Sequence, residues 1–190
     1  MFLRLIPAIL LLGQLCGCAA QSSVKPVEAL DERTGVTLGA LKAPIELVPA
    51  QQQSVVSRKR ATFAYLGPVE WNRSGNLTYG LWIHIAPGTD QPLADIRGSG
   101  APTLVLDDGP VPLSLIDAPA VGRSAYRPVV SWGQTAYFDV TVATLRRMAA
   151  SRKLELDVGA GDGSTLSFSP TLDTRTVLTQ YLQDRGLTAD

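Results

Sequence analysis

The chain has 190 residues, 17 basic and 17 acidic side chains, a formal net charge of zero and one histidine. So even a balance argues against a nucleic-acid-binding domain, which is as a rule markedly basic, and a single histidine excludes a histidine-rich metal site. With 45% hydrophobic residues, 17 glycines and 13 prolines, the composition reads as globular, turn-rich and mostly β.

In chain order, the first segment is MFLRLIPAILLLGQLCG, residues 1–17. Arg4 stands near its start, and the apolar run Leu5 to Leu12 is broken only by Pro7. That is the anatomy of a secretory signal, and the run falls short of the roughly 20 apolar residues a spanning helix needs. The segment ends on Leu15-Cys16-Gly17-Cys18. This stretch resembles the lipobox of bacterial lipoproteins: an aliphatic residue, a tolerated one, a small one, then the acylated cysteine. Only Cys18 fits, because reading from Cys16 would put Leu15 at the small-residue site.

The resemblance implies cleavage after Gly17, lipidation of Cys18 and a membrane anchor through it. Several acyl chains make such an anchor stable, at about 0.8 kcal/mol per buried CH₂. By the sorting rule of that family, Ala19 in place of aspartate implies the outer membrane, with the domain facing the periplasm. Acylation consumes the one cysteine left after cleavage, so the mature domain has none to spare for a disulfide or a metal. Cleavage also removes Arg4 and leaves a net charge near −1.

Residues 18–33 read as a lipidated N-terminus and flexible tether, polar and interrupted by Pro26. Residues 34–190 read as one β-rich domain. Val36 and Leu38, then Ile45 and Leu47, alternate as two short strands between prolines. Residues 51–60 form a polar connector or a strand start, and their Ser57-Arg58-Lys59-Arg60 run reads as a solvated loop. The clearest hairpin follows. Phe63, Tyr65, Val69 and Trp71 share one parity, Asn72 to Asn76 supply the turn, and Leu77, Tyr79, Leu81, Ile83 and Ile85 share a parity on the return.

A glycine-rich loop with a short strand near Ala94 to Arg97 leads to a second hairpin, turned at Asp108-Gly109. Two further strands are expected over 124–132 and 134–140, around Gly133. Val142, Leu145 and Met148 then switch to helical spacing behind a Thr141 cap. A third hairpin flanks Gly159 to Gly163, and a terminal helix starts at Asp173 or Thr174 and stops at Gly186. The expected fold is an antiparallel β-sandwich or small barrel, with a short helix and a C-terminal helix packed on it.

The site candidates are aromatic. Trp71, Tyr79 and Trp82 crowd the first hairpin, and His84 shares the Trp82 face. These four form the expected interaction surface, with Trp82 as the exposed anchor, because tryptophan and tyrosine favour interfaces. Tyr126, Trp132 and Tyr137 crowd the later strands. No residue is assigned to catalysis, a cofactor or a metal. Gly98-Ser99-Gly100 lacks nucleophile-elbow spacing, and Asp107, Asp108, Asp157 and Asp162 fall where turn chemistry accounts for them. As a whole the chain resembles uncharacterised proteobacterial envelope lipoproteins. The expectation is a non-catalytic envelope lipoprotein that holds a protein partner. The alternatives are a glycan hydrolase using paired acids among Glu70, Asp107, Asp108 and Asp139, and a carrier of lipid or a small apolar ligand in a barrel.

Overall fold

The computed structural model describes residues 26–50, 62–88, 92–117 and 124–188. Of these residues strands take up 48% and helices 13%, in one antiparallel sheet nearly closed into a barrel. The strands in chain order are β1 (Val27–Asp31), β2 (Val36–Ala40), β3 (Ile45–Pro49), β4 (Phe63–Arg73) and β5 (Asn76–Ala86). Then come β6 (Thr103–Leu106), β7 (Gly109–Pro112), β8 (Ser114–Ile116) and β9 (Gln134–Asp139), followed by helix α1 (Val142–Ala150). Finally β10 (Leu154–Gly159) and β11 (Thr165–Pro170) lead to helix α2 (Arg175–Asp184).

The sheet runs β7-β6-β10-β11-β3-β4-β5-β9-β8, with β2 on β4 and β1 on β2. Its two end strands, β7 and β8, follow each other in the chain across Leu113 alone, so the covalent chain brings the ends of the sheet together. The expected β-rich barrel with a short helix and a C-terminal helix is therefore what forms. The first hairpin is β4 with β5, eleven register pairs from Phe63↔Ala86 to Arg73↔Asn76. Its turn is closed by the Gly75 N–H donating to Asn72 Oδ1 at 2.8 Å, and Ser74 and Gly75 both take positive φ. The expected Thr141 cap forms, its Oγ1 accepting from the Thr144 N–H at 3.1 Å. Gly186, at φ +64, stands just past α2.

β2 and β3 act as one strand broken opposite the middle of β4. β2 pairs with Val69 to Arg73 and β3 with Ala64 to Leu66. Leu41 to Pro44 bulge out opposite Gly67-Pro68, where proline has no N–H to offer. Tyr126 closes this gap. Its ring fills the space a Gly67 side chain would need. Its hydroxyl accepts from the Leu41 N–H at 3.0 Å and donates to the Pro68 carbonyl at 2.9 Å.

Three expectations change. Residues 27–31, assigned to the tether, join the sheet as β1. The segment 124–132, expected as a strand, is turn and bend instead: Tyr126 is drawn into the gap, and Pro128 cannot donate to a ladder. Near Ala94 only an isolated bridge, Leu93↔Ala160, forms before the turn at 96–100. Cys18, the start of the tether and the 51–60 connector lie outside the described residues.

The core has two layers, one on each face of the sheet. Leu66, Leu81, Ile83 and Phe138 share one face by register and are wholly buried, in the same cluster as Leu156, Phe168, Met148 of α1 and Leu178 of α2. On the opposite face of the same strands lie Trp71, Trp82 and His84, also buried. Among the described residues no helix is long and apolar enough to cross a membrane.

Candidate interaction surface

The structure overturns the expected exposure of Trp82. Its side chain is 0% exposed, His84 is 0% and Trp71 is 2%. Alternation along β5 implies one wet face only if nothing covers that face, and here the segment 124–133 does. Tyr126 packs on Trp82 with ring centroids 5.1 Å apart, and His84 stacks on the same indole at 5.6 Å and 22°. The Trp71 ring occupies the space above Gly80 and meets Tyr137 edge-on at 5.4 Å. Trp71, Trp82 and His84 are thus brought together, but as core. Tyr79, half-buried, lies on the opposite face beside Glu70.

His84 is held between Tyr65 and Trp82. Its Nδ1 shares a hydrogen with Thr135 Oγ1 at 2.8 Å, and its edge lies where any side chain at Gly133 would have to go. Burial pushes its pKa below the usual imidazole value, with a backbone hydrogen bond at Gln134 pulling the other way. The unfolded chain therefore binds this proton first. The histidine's contribution to stability is present above its unfolded pKa of about 6.5 and declines as pH falls below it. Urea unfolding between pH 7.5 and 5.5 should show stability falling with pH, by no more than about 1.4 kcal/mol per unit from this one group. His84→Gln should flatten that slope; an unchanged slope would assign the dependence elsewhere.

Asp107 and Asp108, two of the acids named as possible catalysts, and Asp162 are held in local contacts. Asp107 accepts from the backbone N–H groups of Arg152 and Lys153 at 2.7 and 3.0 Å, which hold its carboxyl below the usual range. Asp108 takes a two-pronged contact from Arg147 at 2.7 and 2.8 Å and is lowered by it. Asp162 accepts from Ser164 within its turn. Asp139 is exposed at the end of β9, opposite Gly80.

Glu70 has a raised pKa. Burial is the main cause, Arg185 opposes it, Glu28 adds to it, and a hydrogen bond from Tyr79 opposes it. Glu28, Gly39, Glu70 and Tyr79 form one register row across β1, β2, β4 and β5. The Arg185 guanidinium lies over Gly39, in the space a side chain would take. Its Nη1 is 2.5 Å from Glu28 and 3.5 Å from Glu70. Sequence offered no local sign of this cluster, because a row across four strands exists only once the register is known. Among the described residues no group of three or more His, Cys, Asp or Glu side chains is placed to hold a metal.

An open groove of about 670 Å³ lies on the barrel wall between Thr103, Val105, Asp157 and Thr165. Two glycine-rich turns rim it, and close packing accounts for Gly100 and Gly159. A Cβ on Gly159 would sit 3.0 Å from Gly100 Cα, and one on Gly100 would sit 2.9 Å from Ala94 Cβ. The expected turn reading of Gly98-Ser99-Gly100 fits that geometry.

What the fold does expose is the rim of the covering segment. Arg127, Pro128, Val129, Ser131 and Trp132 are all exposed, Trp132 at 71% and Val129 at 55%. Tyr126 behind and Gly133 ahead pin the segment to the sheet, so its apolar tip faces outward. The sequence carried a signal for this in Pro128 and Gly133, which bracket the tip and interrupt a strand. No protein-family model, no curated protein and no solved structure matches this chain, so the functional argument rests on its own residues.

Proposed function

We propose that this chain is an outer-membrane lipoprotein, anchored through Cys18 and facing the periplasm, whose barrel is a non-catalytic module that holds an envelope protein partner. The contact surface is the Pro128 to Trp132 tip, in place of the Trp82 face first expected. The observation that carries this reading is Trp132 itself. A tryptophan 71% exposed on a pinned segment, beside Val129 and the Arg127 cation, offers the residue types that anchor interfaces. The lipobox resemblance at Leu15 to Cys18 supports the anchor.

Neither alternative gains an observation. Leu66, Ile83, Phe138 and Phe168 fill the barrel interior that a carrier would need open. Asp107, Asp108 and Glu70 each face a different partner, the 152–153 backbone, Arg147 and Arg185.

The test uses a photoreactive residue at position 132 of the full-length protein in intact cells. Irradiation should give one discrete adduct, found in the membrane fraction and absent when the probe sits at Arg152. No adduct at 132 would sink the docking surface. Cys18→Ala should move the protein from membranes to the soluble fraction, and unchanged membrane residence would sink the anchor. Trp132→Ala should abolish partner retention while changing stability by no more than about 0.5 kcal/mol.

A further inference from the structure

β1 is fastened in an unusual way. None of its five side chains is buried, and its two large apolar residues, Val27 and Leu30, are 48% and 60% exposed. It has one strand neighbour, β2. An edge strand with so little apolar burial lies at the low end of local stability. A side-chain bond across the fold runs from Glu28 to Arg185 at the C-cap of α2.

The two ends of that bond differ. The Glu28 side chain is 65% exposed, whereas the Arg185 side chain is 7% exposed. Glu28 can leave into water at little cost; Arg185 cannot. A buried guanidinium needs an anion, and Glu70 is already 3.5 Å from the same nitrogen. The turn joining β1 to β2 supplies a pivot at Gly35, with φ +67.

We propose that β1 is a releasable strap: Arg185 locks it through Glu28 and, when the strap lifts about Gly35, keeps its charge matched by closing on Glu70. The consequence for reach rests on the anchored reading above. Eight residues separate Cys18 from Val27, enough for roughly 30 Å of extended chain. Releasing the nine residues 27–35 brings this to roughly 60 Å. The strap then sets how far the barrel stands from its membrane.

Hydrogen exchange read by mass spectrometry on the full-length protein tests the strap, whether or not Cys18 carries lipid. In the wild type, peptides covering β1 should exchange at least about tenfold faster than peptides covering β4. Glu28→Gln removes the outer anion and should speed β1 exchange by roughly three- to tenfold, with β4 unchanged. Glu70→Gln removes the anion that receives Arg185 in the lifted state, so lifting becomes rarer and β1 exchange should slow. The opposite signs are the signature of the transfer. Two substitutions that both accelerate β1, or a β1 that exchanges in step with β4, would overturn it.

Discussion

Tyr126→Phe is expected to destabilise the domain by about 2 to 4 kcal/mol, although it removes a single oxygen. That hydroxyl accepts from the Leu41 N–H and donates to the Pro68 carbonyl. The Leu41 N–H sits in the break between β2 and β3 and the Pro68 carbonyl opposite it on β4, and Leu41 and Tyr126 are almost fully buried. Removing the oxygen orphans a buried donor and a buried acceptor together, and each costs about 1 to 3 kcal/mol when unmet. Tyr137→Phe is the matched control. Its hydroxyl meets Ser124 Oγ and the Ala125 N–H at 3.1 and 3.4 Å on the exposed side, so its loss should stay under about 1 kcal/mol. Urea midpoints for the two variants decide the matter. If they coincide, the gap is bridged by something other than Tyr126.

Arg185→Met should cost about 3 kcal/mol, within the range seen when one partner of a buried ion pair is removed. The methionine keeps much of the apolar stem, so the loss is mainly electrostatic. It strands Glu70, whose side chain is 10% exposed. Adding Glu70→Gln to Arg185→Met should recover at least about 1 kcal/mol, because the two side chains share one contact and their effects do not add. Simple additivity in that cycle would mean that Arg185 stabilises by packing alone.

What was legible in the sequence was local. The β4–β5 hairpin shows in the alternation of Phe63 to Trp71 and Leu77 to Ile85 around a turn-forming Asn72 to Asn76. The α1 cap shows in Thr141, and the end of α2 in Gly186. What failed were inferences about faces. Alternation told correctly that Trp82 and His84 point away from Ile83, but not that a distant segment would cover them. A tyrosine 58 residues from the proline it serves leaves no periodic trace. β1 was missed because it buries no side chain, so composition made it look like tether. The Arg185 contact was invisible for a different reason: its partners are neighbours only through the strand register.

The fastening of the first strand also orders events in time. Glu28 and Arg185 are 157 positions apart, so a chain that emerges N-terminus first presents β1 long before the arginine that holds it has left the ribosome. β3 can pair with β4 early, but its other edge waits for β11. Loop closure over such spans is slow relative to local hairpins and helices. The barrel is therefore assembled late, and β1 gains its contact with α2 only when nearly the last residue has been delivered.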